Sequence, residues 1–499
     1  EGDLMAKAGV SYMIGREDNK QYGETYNGVQ LMKGHQFPDG VDPYKIKGDS
    51  TSGLLWGISP AALSSDGTGD ELIQAYNYRI CLTDNPANKI EITRPENYDS
   101  TKYELLLRLF DAQPNKRKLN HYFIWSRMPN NKTDINNRGG FSTDMIGMNH
   151  NYPEASYEER AEIIKAHKDY TQGLLYFYKT DPRVPQELRD EIQAWGYPKD
   201  EYTEDNHWSP QLYIRESRRM TGDYVMTQAH CEGRETVTDG IGMAAYTMDS
   251  HNCQRLLVKK DGKYMVKNEG NVEIGGGLPY PISYRSIIPK EEECKNLLVP
   301  VCLSASHIAY GSIRMEPVFM VLAQSAAIAA AEAINTGSVQ TVDIKKVQAL
   351  LHENPLLDGS FSEILIDDSE LDLSINNDWE VIKKQGGYGP TFLKSKVRNG
   401  SPVRFSPHME HEGKYKVYTY YHMRKDISPA ITYSISDGID SWTRVIHKDS
   451  VRIEGQTTGE WIELGTYNFQ KSPMPYIEIS TGDTSGTVIA DAVLFIPVK

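Results

Sequence analysis

Apolar positions recur at helical spacing in three places before about residue 355. Between Glu158 and Tyr178 they fall at Ile163, Ile164, His167, Tyr170, Leu174 and Phe177, which predicts one long helix. A shorter helix is expected over 185–195, started by Pro185 at its first turn. A third, rich in alanine, is expected from about Pro317 to Ile334, with Gly337 as its C-terminal cap. Leu297 to Leu303 is a short apolar run of strand type, and Ser304 to Arg314 reads as a loop. The mixture predicts an α/β domain over residues 1–355.

After that point the period shortens to two. Tyr415, Val417, Thr419 and Tyr421 share a face, as do Ile431, Tyr433 and Ile435. Ile477 and Ile479 alternate with Glu478 and Ser480, and Thr487 to Ile496 reads as a buried last strand. Many short strands separated by turn residues predict an all-β sandwich over residues 360–499. Ile364 to Asp368 is its expected first strand, and 354–359 the expected linker.

Composition narrows the function classes. The 499 residues amount to about three domain-equivalents. A net charge of −14 argues against a phosphate-binding, nucleic-acid partner. No uninterrupted apolar run reaches the roughly 18 residues of a membrane span. Five cysteines without a CxxC pair indicate neither a disulfide framework nor a zinc site, and no metal is expected. The 31 tyrosines, against 11 Phe and 7 Trp, suit sugar or flavin contacts and equally suit half-buried strands. The chain begins Glu1-Gly2-Asp3, without initiator Met or signal peptide, and reads as cut from a longer one.

Four polar groups carry candidate chemistry. Ser304 to Pro317 places His307, Tyr310, Gly311 and Arg314 before a helix N-terminus, whose free N–H groups favour electron-rich ligand atoms. The same residues can equally form a polar cap on a packed core helix. Arg215, Arg218 and Arg219 can clamp a carboxylate or make internal ion pairs. Asp249 stands two residues from His251, where it can orient that imidazole as a base; His230 lies some twenty residues earlier. Lys132 to Asn137 can line a cleft or make turns. No GxGxxG follows an early strand, and GxxxxGK[ST], HExxH and GxSxG are absent.

Taken together, Glu1 to Gly9, Gln74 to Arg79, Tyr213 to Arg219, Met248 to Asn252, Pro281 to Ser286 and Asn296 to Ala331 resemble the FAD-dependent oxidoreductase family of bacterial polysaccharide-utilisation settings. Some members carry a xanthan lyase label. The resemblance implies a glutathione-reductase-like FAD/NAD(P)-binding fold, here incomplete because the N-terminal Rossmann fingerprint is lacking. It implies FAD as cofactor, with Ser312, Arg314, Met315 and Glu316 near the isoalloxazine and Gly2 and Asp3 as the tail of a strand-end motif. His307, His251, Arg218 and Arg219 are then expected on the substrate side as catalytic residues.

The later segment resembles the golvesin C-terminal, xanthan-lyase-like domain, a sandwich with carbohydrate-binding associations. Ile364 to Asp368, Trp379, 387–389, Gly413 to Tyr418, Trp461 to Tyr467 and Ile489 to Val493 carry that resemblance. Trp379 and Trp461 can stack on sugars or fill a core. The expected function is hydride transfer from a saccharide-related substrate to flavin, in an exported or periplasmic setting. The alternatives are xanthan-type β-elimination and non-catalytic carbohydrate binding.

Overall fold

Ser156 opens the long helix Tyr157–Thr180: its hydroxyl accepts the Glu159 N–H, and the Glu159 carboxylate accepts the Ser156 N–H. His167, Tyr170, Leu174 and Phe177 are buried along one side of it. The next helix, Gln186–Gln193, starts directly after Pro185. Both match the helical spacing read from the sequence. The computed structural model describes residues 1–276, 279–353, 360–372, 377–383, 387–388, 391–453, 459–482 and 485–498. The expected linker at 354–359 lies outside the described residues. The chain divides into two units, Glu1–Ala349 and Leu350–Lys499.

The first unit has a large aromatic and aliphatic core that includes Tyr76, Tyr103, Tyr122, Tyr170 and Tyr178. Part of the tyrosine surplus is therefore structural. Among the described residues every sheet in this unit is a two-stranded antiparallel pair. Leu297 to Leu303 makes no strand and bends at Pro300, Val301 and Cys302. It is held by single bonds, from Val299 N–H to Ile287 O and from Met220 N–H to Cys302 O, and Pro300 has no N–H to offer. The expected loop at 304–314 contains a helix, His307–Ile313, every residue of which is buried.

That short helix lies on the strand Met248–Ser250. A Cβ on Gly311 would come within 2.6 Å of the Asp249 carbonyl oxygen, so only glycine permits this approach. The following helix, Glu316–Thr336, ends on Gly337 at φ 83°. It is long and apolar enough to cross a membrane by length and composition, although Gln324, Ser325 and Glu332 interrupt its apolar run. Leu322, Ala326, Ile328 and Ala329 are buried, and the Ser325 hydroxyl donates to Ile241 O.

The second unit is β-rich, with three open antiparallel sheets among the described residues. Ile364–Asp367, Ala492–Pro497, Gly413–His422 and Gly459–Phe469 form the first, in that spatial order. Val403–Phe405, Tyr476–Ile479, Ala430–Ser436 and Ser441–His447 form the second, and a smaller sheet joins Trp379–Lys383, Thr391–Ser395 and Ile489–Ala490. Tyr415, Val417, Ile431, Tyr433, Ile435, Ile477 and Ile479 meet in one core, as their period-two spacing requires.

Candidate active site

Arg219 is wholly buried in the first unit. Its Nε donates to Ala305 O at 3.0 Å, one terminal nitrogen to Gly15 O at 2.9 Å and to Glu216, and the other to Glu17 Oε1 at 2.5 Å. Glu216 also faces His307 Nδ1 at 2.8 Å and accepts from Gln74 at 2.7 Å. Burial raises the Glu216 pKa, but the neighbouring His307 and Arg219 outweigh it and hold it at about 2. His307 Nε2 lies 2.9 Å from the Ser250 hydroxyl, so both its ring nitrogens are occupied. Arg218 binds Asp3 at 2.8 Å and Glu154 at 2.9 Å. The Asp3 carboxylate is further gripped by Arg160, with the two arginines keeping its pKa below the usual range despite partial desolvation. His307, Arg218 and Arg219, expected on the substrate side, are thus each buried and engaged with partners inside the protein.

His251 differs. Its Nδ1 lies 2.9 Å from Asp144 Oδ2, and its side chain keeps 12% exposure. Asp249, two residues before it, approaches Nε2 only to 3.6 Å and instead binds Arg314 at 2.9 Å. The orienting carboxylate is therefore Asp144, a correction to the sequence expectation. Asp144 in turn binds Arg215 at 2.9 Å. Burial opposes its charge, yet Arg215 and His251 hold its pKa below the usual value. Arg215 stands over the Tyr213 ring at 5.2 Å, and Arg79 over the same ring at 6.0 Å.

Sequence reasoning missed several members of this group. Glu216 sits inside the Arg215–Arg219 run and was legible there as a counterion. Asp144 and Glu17 come from remote segments and had no signal. His35 also had none: it takes a left-handed φ of 45° and places Nε2 3.2 Å from Glu273. Glu273 pairs in register with Asp249 across adjacent strands. Burial disfavours the His35 cation, but Glu273 outweighs burial and raises its pKa.

Two features around Met315 are compatible with an electron-rich ligand group such as the ring end of a flavin. The Glu316–Thr336 helix starts at Met315 without a side-chain cap, leaving N–H groups for electron-rich atoms. Arg314, just before it, has its buried Nε without a hydrogen-bond partner among the described residues. Ser312 is committed: its hydroxyl accepts from Tyr280 and donates to Tyr246 O. Gly2 takes φ 74°. A cavity of about 1270 Å³ is lined by Tyr12, Arg16, Glu17 and Glu154 and does not include His251 or Arg314. In the second unit Asp367, Asp368 and Asp491 come close enough to hold a metal ion, where the sequence pointed to none.

A family model described as FAD dependent oxidoreductase matches residues 1–351. The chain belongs to that family. A model for the golvesin C-terminal domain matches residues 364–497 of this FAD-dependent oxidoreductase family member. No curated protein matches the chain. Among solved structures, a Paenibacillus xanthan lyase is 21% identical over 28% of this chain and 13% of its own, with a TM-score of 0.23. The carbohydrate-binding module TmCBM61, solved with β-1,4-galactotriose, is 15% identical over 29% of this chain and 96% of its own, at 0.19. A family 35 carbohydrate-binding module from Clostridium thermocellum is 10% identical over 24% and 87%, at 0.17. This chain thus spans about an eighth of the lyase's length.

Proposed function

We propose that the first unit oxidises a hydroxyl-bearing carbon of a saccharide-related substrate, with His251 as the base. The observation that carries this is the His251–Asp144 contact of 2.9 Å in a side chain still partly open to solvent. Asp144 fixes Nδ1 as the protonated nitrogen, which leaves Nε2 to take the proton of the substrate hydroxyl. Arg215 keeps Asp144 ionised. Arg314, Met315 and Glu316 at the helix start would hold the flavin ring, which when bound accepts the hydride. His307, Glu216 and Arg219 hold the strand and helix that carry these groups.

The alternative of β-elimination beside a uronate needs an unpaired cation for its carboxylate, and Arg218 and Arg219 are already neutralised. An exported or periplasmic setting belongs to the same proposal as the saccharide substrate. Incubating the full chain with FAD and following flavin absorbance tests it. Retained flavin that bleaches with sugars, but not in His251→Gln, is the expected result. Failure to retain flavin at any concentration removes the reading.

The second unit, proposed as a sandwich, would add glycan contact at Trp461. Its ring packs 5.3 Å from half-exposed Tyr388, whereas Trp379 is buried with Nε1 on Ser401 O. Trp461→Ala is expected to abolish retardation of the chain in xanthan-containing gels, and equal mobility of both proteins removes this reading.

A further inference from the structure

The polar segment Lys132 to Asn137 has no part in the reaction described above, yet it borders a crevice of about 320 Å³. That volume lies within the roughly 300–1,000 Å³ typical of small-molecule sites. Arg79, Cys81, Lys132, Asp134, Glu201 and Tyr202 line it. Both cations are already paired: Arg79 Nε with Asp134 Oδ1 at 2.9 Å, and Lys132 with Asp200 at 2.9 Å and with Glu201. No spare positive charge is left for a phosphate or carboxylate. What remains is a lining of carboxylate lone pairs and residual N–H donors, which suits neutral hydroxyl groups.

Tyr202 supplies the aromatic surface. It takes φ 48°, a left-handed conformation that a bulky residue adopts only when its surroundings impose it. Lys132 grips Asp200 and Glu201 immediately before it, and the His207 N–H donates to Tyr202 O at 2.8 Å. Tyr202 remains 38% exposed at the crevice. Tyrosine held this way offers a flat face to the C–H side of a sugar ring.

The crevice is linked to the candidate site by a short chain of contacts. Arg79, in its wall, covers one Tyr213 ring with Arg215, which binds the Asp144 that orients His251. Burial opposes the Arg79 charge, but Asp134 above all, with Tyr213 and Glu316 adding less, raises its pKa. We propose that this crevice is a subsite for a second sugar ring, so that the substrate is a disaccharide or longer chain. The proposal rests on the saccharide reading of the first unit.

Calorimetric titration of the full chain with cellobiose, maltose and lactose, set against glucose and galactose, tests it. At least one disaccharide is expected to bind about tenfold more tightly than its monosaccharide. Tyr202→Gly, which accepts the left-handed conformation without strain, is expected to erase that ratio without lowering the melting temperature. The proposal is overturned if no disaccharide outbinds its monosaccharide, or if Tyr202→Gly leaves the ratio intact. Turnover separates the two readings: a disaccharide bound with this preference but never oxidised in the presence of FAD removes the oxidoreductase reading and leaves the subsite standing.

Discussion

His251 Nδ1 meets Asp144 Oδ2 at 2.9 Å across a sequence separation of 107 residues. The contact ties down Nδ1 and leaves Nε2 with no nearer carboxylate than Asp249 at 3.6 Å. Asp144→Asn removes the charge that stabilises the imidazolium, so kcat for saccharide oxidation is expected to fall about a hundredfold with little change in KM. Steady-state kinetics with FAD present checks this, and an unchanged kcat would dismiss Asp144 as the orienting group.

Glu216 contacts both Arg219 and His307 in a site closed to water. Glu216→Gln leaves the Arg219 guanidinium short of a partner in low dielectric. A loss of about 3–5 kcal/mol is expected, read from urea denaturation of the full chain. A loss under about 1 kcal/mol would mean that Glu17 alone suffices.

His167 is buried in the helix Tyr157–Thr180, with Nδ1 2.8 Å from Ile163 O and Nε2 without a partner. Burial lowers its pKa from 6.5 to about 4. The folded state therefore disfavours protonation. The stability this confers is complete above pH 6.5 and is lost as pH falls from 6.5 toward 4, to a total of about 3 kcal/mol. His167→Phe is expected to flatten that part of the stability profile, measured by denaturation at a series of pH values.

Gly311→Ala would drive a methyl group to 2.6 Å from Asp249 O. The helix His307–Ile313 must then lift off its strand, at a cost of about 1–3 kcal/mol. Because Asp249 carries Arg314 and adjoins His251, flavin retention is expected to weaken with stability. A variant as stable as the parent would show that the strand yields instead.

The long helices were legible because each buries one face and exposes the other. His307–Ile313 was not, since every residue in it is buried and no amphipathic contrast survives. Leu297 to Leu303 had the composition of a strand, but its hydrogen bonds go singly to different partners. At the site, His251 and the arginine cluster were visible as residue types. Their partners were not: Glu17 reaches Arg219 from 202 residues away, and local spacing favoured Asp249 over Asp144 as the orienting acid. Charge pairing in a folded interior is decided by chain crossings that no linear pattern records.

The buried ion pairs also constrain how this protein can change over time. Arg219 with Glu216 and Glu17, and Arg215 with Asp144, lose far more from the removal of one member than from replacement of the whole set. Descendant sequences can abandon such a group only by altering two or three positions nearly together. Each set should therefore be inherited as a block, retained or replaced entire.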